Sequence, residues 1–177
     1  MGLRLPERPA QYFINAVLLD EWRPADARGY SLTGVQPGDE AFLPVATSID
    51  DVGSVYPSLI VRYSNETSGG ESTYDFMTSS GPGQNRTGTL LATARAQDTS
   101  GGYTGDAATY SAVDADDIVA ELVAAVEDVC QRRAAAPQSE FETLGSQRGP
   151  DVLTDYDEDP PVRIAQTEIR YSWLRRP

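Results

Sequence analysis

The sequence predicts an α+β fold: an antiparallel sheet of about four strands with helices packed on one face and long loops between them. Three observations lead there. The elements run helix, three strands, helix, strand. The second helical stretch, DADDIVAELVAAVEDVCQRR at 114–133, is apolar on two adjacent faces, as a helix packed on a sheet must be. The closing stretch PVRIAQTEIRYSWLRRP, residues 161–177, alternates as a strand does.

Residues 9–22, PAQYFINAVLLDEW, predict the first helix, with Pro9 suited to its opening and Pro24 barring its continuation. Phe13, Val17 and Trp22 share a face, with Ile14 and Leu18 beside them. From 24 to 55 the chain is rich in Gly, Pro and Asp, which predicts a long connection with one short strand near 41–46, free to serve contacts with another subunit. YPSLIVRY at 56–63, STYDFMT at 72–78 and GTLLATARAQ at 88–97 predict three strands. In the last of these, Leu90, Ala92 and Ala94 oppose Leu91, Thr93 and Arg95. The separators NETSGGE and SSGPGQNRTG carry turn chemistry that joins antiparallel neighbours.

In the second helix Asp114 is placed to cap, Asp116 and Asp117 favour the positive end, and Arg132 and Arg133 the negative end. Residues 134–160 predict a second irregular excursion, ending in the acidic DYDEDPP. In the terminal strand the apolar side changes face near Gln166, which calls for a bulge, a twist or two faces buried against different partners. A change of partner there would take the second half, IRYSWLRRP, out of the subunit's own core. The 177 residues fit one domain, 1–177, with extended loops at 24–55 and 134–160.

Charge narrows the setting. The formal net charge is -13, from 27 Asp plus Glu against 14 basic residues, and every basic residue is Arg. An acidic chain without lysine is the composition expected of adaptation to molar salt. At about 1 M salt the Debye length falls to roughly 3 Å, so dense carboxylates repel little and hold water and cations at the surface. Arg outlasts Lys there because its planar fork makes bidentate pairs with carboxylates. The same acidity disfavours binding to a nucleic-acid backbone. No apolar run of about 18 residues suits a membrane span, and the start MGLRLPERPAQ lacks a signal-peptide core, so a soluble protein is expected.

Chemical signatures are sparse. The chain has no His, which removes His-based nucleophiles and ligands, and its one cysteine, Cys130, sits on the apolar helix as an inert thiol. Asp155, Asp157 and Asp159 open like a calcium loop, but Pro160 stands where the turn glycine belongs and Gln166 where the bidentate Glu belongs, so a solvated acidic loop is expected. Gly81–Pro82–Gly83 lacks the Lys and helix of a phosphate cradle. Asn65 and Asn85 head Asn-x-Thr sequons in predicted loops. Carboxylate pairs for acid–base work have no locatable cleft, and an enzyme is not expected.

In their order, PSLIVRY, GTLLATARAQD, the helix DADDIVAELVAAVEDVC and the closing PVRIAQTEIRYSWLR resemble the tail terminator (tail completion) proteins of tailed viruses. In that family a helix precedes a sheet, a second helix packs across it and a C-terminal strand returns to the sheet. The resemblance covers residues 9–22 and 56–174 and rests on the order of elements.

With the saline composition, the resemblance implies a structural protein of a haloarchaeal virus, placed in the virion at the tail or neck and assembled in the host cytoplasm. It implies a homohexameric ring at the head-proximal end of the tail tube that stops tube polymerisation. The expected partners are a second copy of the chain, the tail tube protein and a neck or connector protein. DNA passes an acidic lumen without specific binding, and no cofactor, metal or membrane is implied. Arg163, Arg170, Arg175 and Arg176, with Trp173, are the expected subunit-interface residues. The alternatives are another neck or head-completion protein and a halophile ligand-binding module.

Overall fold

A computed structural model describes residues 8–22, 31–32, 42–43, 45–68, 76–78, 81–98, 114–135, 141–149 and 151–175. The first helix is continuous but changes type: α1 (Arg8–Tyr12) passes into a π-helix (Phe13–Leu18) and then α2 (Leu19–Glu21). In the π-turn the amide of Leu19 donates to the carbonyl of Ile14, and the wider turn sends Phe13, Ile14, Val17 and Leu18 all into the core. Further on come β1 (Ser31–Leu32), β2 (Phe42–Leu43), β3 (Val45–Ala46) and the short helix α3 (Ile49–Val52). Ser48 caps α3 by accepting from the Asp50 amide at 3.2 Å.

The main sheet is built from β4 (Ser58–Ser68), β6 (Gly81–Ala96), β7 (Phe141–Arg148) and β9 (Val162–Arg175). The strand order is β3-β4-β6-β9-β7, with β5 (Phe76–Thr78) on β6 and β8 (Leu153–Asp155) on β9. The architecture is therefore α+β, but the sheet is larger than the predicted four-stranded one and mixed, because β3 joins β4 in parallel. The predicted strand near 41–46 is divided into β2 and β3, and β2 pairs in parallel with β1.

Residues 134–160 correct the expectation most. They hold β7 and β8 rather than an irregular loop, and both strands pair with one flank of β9, β7 along 167–173 and β8 along 162–164. Gly145, at φ 143°, sits where the β7 register shifts, and that interruption hid the strand in the sequence. Polar stretches read as turns are likewise strand: Asn65 lies in β4, and Asn85 and Gly81–Gly83 lie in β6. Turn-rich composition loses to pairing there because each segment lengthens a strand that is already aligned.

The core lies between one face of the sheet and the helices. α4 (Ala115–Ala135) begins as predicted: Asp114 accepts from the Asp116 amide at 2.9 Å, and Asp98, at the end of β6, accepts from the Ala115 amide at 2.9 Å. Ile118, Val119, Leu122, Val123, Val126 and Val129 are buried against Leu90, Ala92 and Ala94 of β6, Ala165 and Ile169 of β9, and the π-helix. Each large side chain of this kind contributes about 1.5–3 kcal/mol by leaving water. Small residues at 92, 94 and 165 let α4 lie close over β6 and β9.

Charged contacts fix the edges of this layer. Arg132 Nη2 donates to the carbonyl of Glu21 at 2.8 Å, and Arg133 Nη1 lies 3.8 Å from Glu21 Oε1, tying the end of α4 to the end of the first helix. Glu127 accepts from Arg148 Nη2 at 2.7 Å and from Thr167 Oγ1 at 3.2 Å, so the fully buried Thr167 keeps a polar partner.

The terminal strand is the second correction. β9 pairs with β6 from Arg163 to Arg175 with no register shift, so it carries no bulge toward β6. Ala165, Thr167, Ile169 and Tyr171 form an unbroken buried row, and Ile169 and Tyr171 are among the largest fully buried side chains. The strand's second half thus stays in the subunit's own core at least through Tyr171. The swap read near Gln166 comes earlier: Val162 is fully buried on the opposite face.

Candidate functional site

That opposite, outer face of the sheet has a covered end and an open middle. At the covered end, Ser58 of β4, Arg95 of β6, Ile164 of β9 and Leu153 of β8 stand in one cross-strand row. Arg95 is 5% exposed. A guanidinium buried this deeply needs partners, and the chain supplies them from two distant segments. Arg95 Nη1 donates to the carbonyl of Gly53 at 3.1 Å, and Nη2 donates to Tyr56 Oη at 2.7 Å. Tyr56 in turn donates to Glu158 Oε1 at 2.6 Å, and that carboxylate oxygen lies 3.6 Å from Arg95 Nη2. The guanidinium carbon is 4.9 Å from the Tyr56 ring centroid.

The trio is a latch that holds the 53–57 segment to the 156–160 segment over the sheet. Gln97 adds a second fastening, donating to the carbonyl of Pro160 at 2.7 Å. Both segments contain a cis X-Pro bond, Tyr56–Pro57 and Asp159–Pro160. The Tyr56 hydroxyl is pushed up to about 12, first by burial and then by its hydrogen bond to Glu158, with Arg95 acting in the opposite sense. It remains a proton donor throughout the neutral range.

The open middle is polar. Arg62, Leu91, Glu168 and Gln147 stand in register across β4, β6, β9 and β7, with Arg170 in the next row between Thr89 and Gly145. Arg62, Glu168 and Arg170 are exposed and Leu91 is half-buried. Alternating charge on an open sheet face suits contact with another protein surface better than enclosure of a small molecule.

The expected interface residues fall in different places. Arg170 is on this open face. Arg163 is on the helix side, where Nε lies 3.2 Å from Asp116 Oδ1 and Nη1 donates to Thr154 Oγ1. Trp173 and Arg175 are strand residues whose side chains lie outside the described residues, as does Arg176 altogether. Asp155 accepts from the Asp157 amide at 3.0 Å in a local turn, and among the described residues no group of acidic or Cys side chains is arranged to hold a metal. The Cys130 thiol is buried and pushed up to about 12 by that burial, with Glu127 adding to the shift, which disables it as a nucleophile. Among the described residues no helix is long and apolar enough to cross a membrane.

Sequence reasoning did not find the latch. Its one available signal was an arginine inside the otherwise small and apolar LLATARA, on the face away from Leu90 and Ala92. Comparison with known proteins adds no assignment: no protein-family model matches the chain, and no curated protein sequence matches it.

Proposed function

We propose that the chain is a structural virion protein of a haloarchaeal virus, a tail terminator that forms a ring at the head-proximal end of the tail tube and joins the tail to the neck. The observation that carries this reading is the return of β9 to the middle of the sheet, between β6 and β7, after α4 has crossed the helix-side face. That order of elements is the one on which the resemblance to tail terminators rests. The exposed charged middle of the outer face adds support, because a ring subunit needs a rigid layer with an open contact surface. The excess of carboxylates suits a lumen through which DNA slides without sticking.

Deleting the gene from the virus tests the reading. Tails of unregulated length, or heads without tails, are the expected result. Normal virions would overturn it.

A further inference from the structure

Among the described residues, the exposed large hydrophobics are Ile49, Val55, Val152, Leu153 and Tyr156, at 51%, 47%, 37%, 56% and 78% exposure. They are not scattered. All lie on the two segments that the Arg95–Tyr56–Glu158 latch fastens over one end of the sheet. The same segments carry exposed Asp50, Asp51, Asp151, Asp157 and Asp159 and no arginine. An apolar surface ringed by carboxylates asks for an occupant that is both apolar and cationic.

The chain contains one stretch of that chemistry at the far end of the same strand: Trp173-Leu174-Arg175-Arg176. We propose that the latch surface of one subunit receives this carboxy-terminal segment of a second copy. Trp173 and Leu174 meet the apolar side chains, and Arg175 and Arg176 pair with the surrounding aspartates. Arg-carboxylate contact pairs on an apolar base suit molar salt, where distant attraction is screened but direct contact and apolar burial persist.

Geometry makes the contact intermolecular. The latch surface adjoins the start of β9, where Leu153 pairs with Ile164 and Asp155 with Val162, while Arg175 pairs with Gln84 at its other end. At about 3.3 Å per residue the 14-residue strand separates the two sites by roughly 40 Å. The two residues beyond Arg175 reach only about 7 Å. A contact between unlike ends of identical subunits is head-to-tail and propagates until it closes. That it closes as a ring rests on the tail terminator reading; the docking itself does not.

Site-directed cross-linking in molar salt tests it, with the buried Cys130 left in place. Chains bearing Tyr156→Cys are mixed with chains bearing Arg176→Cys, and light scattering follows the oligomer in parallel. The expected product is a disulfide-linked heterodimer, and a ladder of linked subunits when both cysteines are in one chain. Homodimers of the Tyr156→Cys chain as the main product overturn the proposal, because the surface then meets itself. An oligomer with no cross-link overturns the docking and leaves the ring reading standing; a monomer at every concentration counts against both. As a second arm, Arg175→Glu with Arg176→Glu weakens association by about tenfold or more, and Asp157→Arg with Asp159→Arg in the partner restores it. Unchanged association of the double Glu variant, with its melting temperature retained, would also refute the contact.

Discussion

Arg95 and Glu158 face each other at 3.6 Å with the Tyr56 hydroxyl between them, joining the middle of the chain to a segment near its end. The arginine is almost wholly buried while the glutamate side chain keeps 31% of its surface. Losing the two partners therefore has unequal cost. Arg95→Met leaves the Gly53 carbonyl and Tyr56 short of a donor but lets Glu158 rehydrate, so a loss of about 2 kcal/mol is expected. Glu158→Gln keeps an acceptor for Tyr56 and costs about 1 kcal/mol or less. Urea unfolding in molar salt measures both.

Two neighbours on β9 separate folding from assembly. Ile169 is fully buried under α4, whereas Arg170 is exposed on the outer face. Ile169→Ala should cost about 2–5 kcal/mol. Arg170→Glu should change stability by no more than about 0.5 kcal/mol and instead disturb the oligomer seen by light scattering. An Arg170→Glu chain that unfolds, or one that assembles normally, contradicts this.

Gly88 is where β4 and β9 press closest on β6. A methyl group there would stand 2.5 Å from the Asn65 carbonyl oxygen and 2.5 Å from the Tyr171 hydroxyl. Gly88→Ala is expected to destabilise by about 1–3 kcal/mol. Adding Tyr171→Phe removes one clash and leaves the backbone one, so thermal melting should recover only in part.

Alkaline pH acts through Tyr56 and Cys130. The folded state holds Tyr56 protonated to about 12 against an ordinary 10.0, and Cys130 to about 12 against 9.0. For both groups the folded pKa is raised, so the stability they contribute is fully present below the ordinary values. It is lost as pH rises from 9 toward 12. Melting temperatures measured across that window should fall, and Cys130→Val should delay the onset toward the tyrosine range.

Salt should act in the other direction. With a net charge of -13, self-repulsion in the folded state is unscreened at low ionic strength. The melting temperature is expected to rise as salt is raised from about 0.1 M, where the Debye length is about 10 Å, to about 1 M, where it is about 3 Å.

Periodicity made the helix layer legible. The stripe Ile118, Leu122, Ala125 and Val129 and the opposition of Leu90, Ala92 and Ala94 to Arg95 are visible in the residue order, and both are found as read. β7 and β8 were hidden for physical reasons. FETLGSQR offers few apolar residues and a glycine at its bulge, and its place is fixed by β9, a partner distant in sequence. Arg95 was hidden for the opposite reason, since an arginine on the polar side of a strand looks like any solvated residue until two remote segments close over it. Asp98 belongs with it as a capping group lent by a strand to a helix.

Tension is the remaining consequence of placing β9 where it is. Its hydrogen bonds run across the strand, to β6 on one flank and to β7 and β8 on the other. A pull between its two ends loads these bonds together in shear and cannot unzip them one by one. A subunit gripped at the latch end and at the tail end is thus a tie rod, and its resistance to extension grows with the length of the strand that both flanks hold.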